Sequence, residues 1–537
     1  MNDRSRPLTD WLLLAGFCGF LYFFGLASFG LIGADEPRYA QVAREMLARG
    51  DWITPTLGGI PWLEKPPLYY WQAIAAYRVF GVSDWSARLP SAFDATLLVI
   101  AVYLFLRRFR SGGQLDGALM TASAAGVIAF ARAASTDMPL IAFFVMALLA
   151  WYAWFESREK PYLILFYFSL ALATLAKGPV AVLLAGMVVA VFALARADLK
   201  LVWRTLWIPG ILLFLAISLP WYVAVQMKNP EFFRVFILEH NLARFSSNLY
   251  RHEEPFWYYL PVFLLGLLPW AVFFVAAAFE SVRAWWAERR EFLQAENALQ
   301  GFLLIWIAVP LVFFSISRSK LPGYIVPALP AGTLLLAEYL REHIIDNDRP
   351  NYILSILHGL VAAAPLVPAM MMQSVIAQHR LPRGRPLAIS IAFAAILAIG
   401  IIATLQSKAG LRMFRFVTLV PVLLIVTAVL RLGAPSLDAT LSARPVAAEI
   451  SRLGAGPLPL VLWLVPRETE FGLQFYGNQE IVRYETGKLP RGQLLLLAPE
   501  AWQKHVAKLA GDRRVSYLGS NAPQGIDYYW VAAQESP

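Results

Sequence analysis

The chain has 537 residues, of which 58% are hydrophobic, 14% aromatic and only 15% charged. Because a soluble globular protein carries about 25% charged residues, this composition excludes a soluble multidomain enzyme, a disordered chain and a collagen-like fibre. The net charge of +10 fits either cytoplasmic loops rich in Lys and Arg or a partner that carries phosphate. No basic domain stands apart from the apolar segments, which argues against a nucleic-acid partner.

Apolar segments long enough to cross a bilayer recur along most of the chain, since a spanning helix needs about 17–25 residues. They predict a polytopic α-helical membrane protein with about thirteen spans. These lie at 11–32, 93–106, 115–131, 138–155, 162–176, 179–195, 206–224, 256–279, 299–316, 324–341, 353–372, 387–405 and 416–432. Lys and Arg are about twice as dense in alternate loops, which predicts a cytoplasmic N-terminus and an external C-terminal segment.

The C-terminal segment, residues 434–537, has a different pattern. Long apolar runs give way to strand-length runs at 458–465 and 494–497 and to a polar helical stretch at 500–509. This alternation predicts a small extracytoplasmic α/β domain. Residues 1–433 form the transmembrane domain that precedes it.

The loop at 33–92 joins the first two spans and predicts two amphipathic helices on the outer membrane surface. Pro37 suits the first turn of a helix and Gly50 the residue just past its end. Apolar residues between them recur at helical spacing, with polar residues on the other face. A second helix follows from Leu68 to Gly81, and its aromatic start suits the headgroup level.

Charged residues gather on the predicted outer side, at span ends and beside the two surface helices. They are Asp35, Glu64, Lys65, Asp137, Lys177, His252, Arg318 and Lys320. A charge at membrane depth is costly unless it is paired or hydrated, so this cluster predicts a functional site. The alternatives are ordinary loop charge and, for Asp35 alone, a helix-start residue. Lysines and arginine beside carboxylates suit holding a phosphate while an attacking group is polarised.

Seven short motifs between residues 35 and 324 carry a family resemblance. They are Asp35-Glu36-Pro37-Arg38-Tyr39-Ala40, Gly50-Asp51-Trp52, Glu64-Lys65-Pro66-Pro67, Thr136-Asp137, Ala176-Lys177-Gly178-Pro179, His252 to Tyr259, and Ser319-Lys320-Leu321-Pro322-Gly323-Tyr324. Together they resemble the GT-C superfamily of polyprenyl-phosphate-sugar glycosyltransferases. Within it the chain is most similar to bacterial relatives of the lipid A aminoarabinose transferase, and more distantly to protein O-mannosyltransferases.

The resemblance implies an inverting transfer of a sugar from undecaprenyl phosphate to an envelope acceptor at the periplasmic face. Asp35 would orient or activate the acceptor, and Asp137 would be a second acidic residue near the reacting centre. The implied substrate-binding residues are Arg38, Tyr39, Lys65, Tyr69, Tyr70, Lys177, Arg318, Lys320 and Tyr324. Glu64 and His252 would help to bind a divalent metal, zinc in that family or else magnesium or manganese, and no nucleotide cofactor is implied. A solvated loop histidine is the open alternative for His252.

We therefore expect a monomer of the bacterial inner membrane that meets a polyprenyl-phosphate-sugar donor, membrane lipids and a lipid A-like or other glycolipid acceptor. Pro67 departs from the enterobacterial aminoarabinose transferases, which leaves the sugar open. One alternative is a protein O-mannosyltransferase, which differs in its acceptor. Another is a flippase for a lipid-linked precursor, which calls for charges near the bilayer midplane in two related halves. The charges here lie at one face and no repeat is visible.

Overall fold

Long apolar helices make up most of the chain. The structure, a computed structural model, describes residues 6–243, 254–288, 298–345, 349–408, 410–454, 458–479, 481–484 and 489–534. In these ranges 8 helices are long and apolar enough to cross a membrane, or up to 10 if each of two bent pairs forms one span. Two shorter apolar helices, Leu8–Phe23 and Val180–Ala195, lie beside them. The protein is a polytopic helical membrane protein, and the count of about thirteen spans stays a prediction.

The helices are numbered here in chain order. Those of the first half are α1 (Arg6–Cys18), α2 (Asp35–Arg49), α3 (Leu68–Phe80), α4 (Asp84–Phe109), α5 (Gln114–Ser123), α6 (Ala125–Ala131), α7 (Asp137–Ser157), α8 (Lys160–Lys177), α9 (Val180–Ala195), α10 (Lys200–Thr205) and α11 (Ile208–Lys228). Those of the second half are α12 (Tyr259–Gly266), α13 (Ala271–Glu288), α14 (Ala298–Ile316), α15 (Leu329–Ile345), α16 (Tyr352–Ala363), α17 (Leu366–Met370), α18 (Met372–Gln378), α19 (Arg385–Leu405), α20 (Phe414–Ala428), α21 (Ala434–Leu441), α22 (Arg444–Arg452), α23 (Arg467–Gly477) and α24 (Gln503–Ala510).

Helix α7 lies at the centre of the transmembrane part and packs against α4 and α8. It is apolar on all sides, as expected for a helix enclosed by other helices. Its Trp151 is fully buried, stacks on Phe155 and Phe302, and donates an indole hydrogen bond to the Thr205 hydroxyl at 3.0 Å. The rigid packing around α7 fixes the position of its first residue, Asp137.

The two predicted helices of the loop after α1 are α2 and α3. Helix α2 ends at Gly50, whose φ of 64° is the left-handed conformation that glycine adopts readily. Its apolar face, which includes Tyr39, Val42 and Met46, is buried against α3 and against Phe471 and Phe475 of α23. The amphipathic pattern was therefore correct, but this face packs on protein instead of resting on a membrane surface.

The C-terminal segment contains a five-stranded mixed sheet. Its strands are β3 (Leu460–Leu462), β4 (Ile481–Arg483), β5 (Leu494–Pro499), β6 (Val515–Asn521) and β7 (Ile526–Val531), after a short antiparallel pair β1 (Thr56–Leu57) and β2 (Ile60–Pro61) in the first loop. The spatial order is β4-β3-β5-β7-β6, with parallel pairing about β3 and antiparallel pairing about β7. Its central strand β5 is buried, as expected for a sheet covered on both faces.

Helix α23 fastens this sheet to the transmembrane part. The Tyr476 hydroxyl accepts a hydrogen bond from the Leu31 amide at 2.7 Å and donates one to the Asp84 carboxylate at 2.5 Å. Arg444 pairs with Asp84 at 3.0 Å, and the Arg44 guanidinium donates to a carbonyl of α23 at 2.6 Å. The contacts hold the C-terminal segment directly above the start of α2.

Tyr476→Phe tests this docking. The change leaves the buried Leu31 amide without its acceptor, which costs about 1–3 kcal/mol, so we expect a lower thermal unfolding temperature in detergent. Tyr517→Phe is the matched control, because the Tyr517 side chain is 52% exposed and its loss of a hydroxyl should leave the unfolding temperature unchanged. Equal unfolding temperatures for all three proteins would contradict the docking.

Candidate functional site

A buried ion pair holds the first turn of α2 in place. The Arg88 guanidinium of α4 donates to both carboxylate oxygens of Glu36, at 2.9 and 2.7 Å. Its other N–H groups donate to the carbonyls of Leu26, Phe29 and Gly30, each at 2.8 Å. Arg88 is 0% exposed, and all five donors of the guanidinium are used. A charged pair can be buried at this depth only because its hydrogen bonds are satisfied.

The same carboxylate of Glu36 reaches the turn before α7. It accepts hydrogen bonds from the backbone amides of Ile32 at 2.9 Å and of Ala134 at 2.7 Å. Ala134 lies three residues before Asp137. Glu36 therefore links the loop that begins α2 to the turn that begins α7, and Asp35 and Asp137 are held in a fixed relation.

Asp35 is the exposed member of this turn. Its side chain is 64% exposed, and it forms an ion pair with Arg38, whose side chain is 15% exposed. Burial favours the neutral form of Arg38, but Tyr39, Asp35 and Glu64 favour its cation more strongly, and together they leave the pKa of Arg38 raised. Arg38 is therefore a cation at neutral pH, and Asp35 faces solvent with this cation beside it.

Three tyrosines pack against one another beside Arg38. The rings of Tyr39, Tyr69 and Tyr70 are mutually 6.0–6.4 Å apart. The Tyr69 hydroxyl donates to the Ala87 carbonyl at 2.8 Å, a bond that joins α3 to α4. The Tyr70 hydroxyl is buried and has no hydrogen-bond partner within the described ranges. Burial and the neighbouring Tyr39 raise the pKa of Tyr70, so this hydroxyl stays protonated and can donate to a ligand.

Two cavities open beside these residues. Cavity A has a volume of about 620 Å³ and is lined at its polar end by Glu64, Lys65, Lys177, His240 and Tyr324. Apart from Ser317 and Ser319, the rest of its wall is apolar. It is formed by Leu140, Phe144, Val180, Ala181, Leu183, Leu184, Phe236, Ile237, Phe313 and Phe314.

Cavity B has a volume of about 600 Å³ and is lined by Asp35, Glu36, Arg132 and Asp137. Its wall is otherwise mainly apolar. It is formed by Phe29, Ile128, Phe130, Ala362, Val422, Val426 and Leu430, among others. Each cavity thus combines a long apolar wall with a few charged groups, as expected for a site that takes an amphiphilic lipid.

An ion pair between Asp137 and Lys177 joins the two cavities. Asp137 lines cavity B, Lys177 lines cavity A, and both side chains are mostly buried. The Lys177 amine also lies 5.3 Å from the centre of the Tyr324 ring. Asp137 is the first residue of α7, where a carboxylate is favoured by the helix dipole. A reacting centre at this pair is reachable from both cavities.

Two glycines make this junction possible. Gly178 follows Lys177 with a φ of 98°, and a Cβ on it would lie 2.6 Å from the Phe236 ring. A Cβ on Gly323 would lie 2.9 Å from Phe130 and 3.2 Å from the Asp137 carboxylate. The glycines of the Ala-Lys-Gly-Pro and Leu-Pro-Gly-Tyr motifs are therefore required by close packing around the Asp137–Lys177 pair.

The Glu64 carboxylate lines cavity A. It lies 3.6 Å from the His240 imidazole, and the Lys65 amine donates to the Glu64 carbonyl at 3.3 Å. The predicted metal partner, His252, lies outside the described residues. Within them, no group of three His, Cys, Asp or Glu side chains can hold a metal ion, and catalytic zinc takes three protein ligands. Glu64 and His240 alone do not complete such a set.

Six of the nine predicted substrate-binding residues line neither cavity A nor cavity B, namely Arg38, Tyr39, Tyr69, Tyr70, Arg318 and Lys320. Lys320 is buried, and its amine donates to the Ser317 carbonyl at 2.6 Å, so it holds the loop before Tyr324. Arg318 is exposed and lines neither cavity A nor cavity B.

Four residues of the site were not predicted from the sequence. Glu36 and Arg88 are 52 residues apart, and no local pattern connects them. The other two are His240 and Ser319, whose buried hydroxyl lines cavity A and has no partner among the described residues. A signal existed for His240, because the Glu239-His240 pair ends an apolar run on the predicted outer side.

The fold defines a class, the polytopic helical membrane proteins that carry a C-terminal segment with a mixed β-sheet. Residues 11–236 match the family described as dolichyl-phosphate-mannose-protein mannosyltransferase. The whole chain superposes on the crystal structure of ArnT from Cupriavidus metallidurans bound to undecaprenyl phosphate. The TM-score is 0.77 with 24% identity, over 98% of this chain and 99% of that chain.

Curated relatives are undecaprenyl phosphate-α-4-amino-4-deoxy-L-arabinose arabinosyl transferases. Transferase 1 of Pseudomonas fluorescens is 33% identical over 66% of this chain and 64% of its own length. The enzyme of Pseudomonas aeruginosa is 34% identical over 67% of this chain and 66% of its own length. The match thus spans slightly less than two thirds of these relatives. These comparisons confirm the predicted resemblance to the GT-C superfamily of polyprenyl-phosphate-sugar glycosyltransferases.

Arg88→Met tests the network that supports the site. Removing the guanidinium leaves Glu36 as an unpaired buried carboxylate and costs about 3–5 kcal/mol, so we expect a large loss of thermal stability in detergent. The control is Arg108→Met, because the Arg108–Glu159 pair is 62% and 51% exposed and a surface pair contributes about 0–1 kcal/mol. Similar unfolding temperatures for the two variants would show that the Arg88–Glu36 pair contributes no more to stability than an exposed ion pair does.

Proposed function

We propose that the chain is an inverting glycosyltransferase that moves a sugar from undecaprenyl phosphate to a lipid A-like or other envelope glycolipid. The observation that carries this proposal is the junction of two lipid-sized cavities at the Asp137–Lys177 pair. Lys65 and Lys177 line cavity A beside Glu64, and Asp35, Glu36 and Asp137 line cavity B beside Arg132. Cavity A thus supplies amines for a departing phosphate, and cavity B supplies carboxylates for an attacking group.

Cavity A is the proposed donor site. Its apolar wall suits a polyprenyl chain, and its polar end brings Lys65, Lys177 and Tyr324 together. During transfer a phosphodiester becomes a phosphomonoester, so negative charge grows on the phosphate oxygens. Ammonium groups aimed at these oxygens stabilise the transition state more than the bound donor and so accelerate the reaction.

Cavity B is the proposed acceptor site. Asp35 is its exposed carboxylate, and the paired Arg38 keeps a positive charge beside it. A hydroxyl acceptor needs a general base, and an ionised carboxylate can take its proton. A phosphate acceptor is already anionic and needs only to be oriented. In both cases Asp35 acts on the acceptor, at the opposite side of the sugar from the departing phosphate, as inversion requires.

The helices and the packing of the C-terminal domain also bear on how the chain lies in the membrane. We infer about thirteen crossings, with the two shorter apolar helices and α8 added to the candidate spans, and a cytoplasmic N-terminus in a bacterial inner membrane. Helix α23 packs on α2, which begins at Asp35. The C-terminal domain and the site therefore share one face, the periplasmic one in this proposal.

A divalent metal is a further element of the proposal. Glu64 with His252 is the pair that the family resemblance implies, and His240 is the histidine that the described part of the chain brings to Glu64. A metal there would add positive charge at the phosphate end of cavity A. The residues described do not complete a ligand set, so the steps above use only the side chains of this chain.

Asp35→Asn and Lys65→Ala test the proposed reaction. We expect each variant to reduce transfer from a polyprenyl-phosphate-sugar donor by at least about 100-fold, since one removes the group acting on the acceptor and the other a cation at the leaving phosphate. The assay supplies both substrates in detergent and detects the glycosylated acceptor by mass spectrometry. A flippase would make no product in this arrangement.

Glu449→Gln is the matched control, since it removes an exposed carboxylate on α22, away from both cavities, and it should keep full activity. Thermal unfolding of each variant separates loss of chemistry from loss of fold. Normal transfer by both Asp35→Asn and Lys65→Ala would contradict the assigned site. Mass spectrometry of envelope lipids and glycoproteins from cells with and without the chain identifies the acceptor.

A further inference from the structure

The C-terminal domain contacts Arg38, the cation that pairs with Asp35 of cavity B and is also stabilised electrostatically by Glu64 of cavity A. Helix α23 lies along α2, and its Phe471 is only 7% exposed. The centre of the Phe471 ring lies 5.7 Å from the guanidinium carbon of Arg38. No other residue of the domain is within cation–π distance of this guanidinium in the described part of the chain. A domain that is separate in sequence therefore reaches the charged centre of the transmembrane part.

Three aromatic rings surround the Arg38 guanidinium. Tyr39 and Trp62 each place a ring centre 5.1 Å from the guanidinium carbon, and Phe471 adds the third. A cation within about 6 Å of a ring centre is attracted to the negative face of the ring. Trp62 and Tyr39 belong to the first loop, so Phe471 is the contribution of the C-terminal domain.

The rings leave part of the guanidinium edge for a ligand. One terminal nitrogen pairs with Asp35, whereas the buried Nε of Arg38 has no hydrogen-bond partner within the described ranges. The buried Trp62 indole N–H and Tyr70 hydroxyl also have none there. Unpaired buried donors are costly, and donors around an arginine suit an anion that accepts several hydrogen bonds. A phosphate has this chemistry.

We propose that Phe471 is a positioning residue for the donor phosphate. Its ring holds the Arg38 guanidinium at the site, so the C-terminal domain is part of the donor-binding machinery and not an independent module. This inference rests on the proposed function in one respect, the identity of the anion as a polyprenyl phosphate. Without the ring, the long Arg38 side chain gains rotamer freedom, and ordering it on the phosphate becomes less favourable.

A double-mutant cycle between Phe471 and Arg38 tests the proposal. The probe is undecaprenyl phosphate, and its binding to the full chain in detergent is measured by microscale thermophoresis. We expect Phe471→Leu to weaken binding about two- to tenfold, the range of one cation–π contact. Phe471→Tyr keeps an aromatic ring and should bind as the wild-type chain does. In the Arg38→Met background, Phe471→Leu should have no further effect.

Phe475→Leu is the matched control. Phe475 lies on the same helix and in the same buried cluster as Phe471, and its ring contacts Tyr476. We expect this variant to lower the unfolding temperature to a similar extent and to leave the affinity for undecaprenyl phosphate unchanged. If Phe471→Leu weakens binding equally in the wild-type and Arg38→Met backgrounds, its role is structural and the proposal is overturned.

The binding result for Phe471 and Arg38 can be distinguished from the result of the sugar-transfer assay. Coupled binding effects in a chain that transfers no sugar would support the role of Phe471 and refute the transferase activity. Sugar transfer with additive effects of Phe471 and Arg38 would support the activity and refute the role of Phe471. A wild-type chain that does not bind undecaprenyl phosphate overturns the inference.

Discussion

The buried pair between Glu36 and Arg88 is the interaction on which the site depends. Two of the five guanidinium donors bind Glu36 and the other three bind the carbonyls of Leu26, Phe29 and Gly30. Together with the Ala134 amide, which donates to Glu36, these bonds join the end of the first span, the start of α2, the start of α4 and the turn before α7. Such a pair is costly to bury, and hydrophobic residues of similar volume would give similar stability. What it supplies is a fixed geometry. Asp35, next to Glu36, and Asp137, three residues after Ala134, are thereby held in a fixed relative position.

The charges of this chain are few, and their placement in the two cavities is what the proposed reaction depends on. Lys65 and Lys177 line cavity A with Glu64, whereas Asp35, Glu36 and Asp137 line cavity B with Arg132. The Asp137–Lys177 ion pair joins the two cavities. Pairing lowers the cost of holding each charge near a membrane. It also keeps the charges oriented before substrate arrives, which is the usual source of electrostatic catalysis. The C-terminal domain adds to this arrangement through α23, which packs directly on α2.

Much of this arrangement follows from local sequence patterns, and the rest depends on distant contacts. Helical spacing and Gly50 predict α2 and its end, and the charged motifs predict Asp35, Lys65 and Lys177 as neighbours on one face. The sequence does not show which of Tyr69 and Tyr70 has a hydroxyl available for a ligand. Adjacent helical residues point in different directions, and only the fold shows that the Tyr69 hydroxyl donates to the Ala87 carbonyl. The sequence likewise does not show that the Lys320 amine donates to a nearby backbone carbonyl and is not available for a substrate. Burial of α2 by Phe471 and Phe475 arises from residues more than 400 positions later and has no local signal.

The position of the bound donor lipid is the most direct test of this account. A cryo-electron microscopy structure of the chain with undecaprenyl phosphate would show it. If cavity A is the donor site, lipid density will lie along its apolar wall, with the phosphate beside Lys65 and Lys177. A phosphate in cavity B beside Asp35 and Asp137, or a lipid outside both cavities, would contradict it.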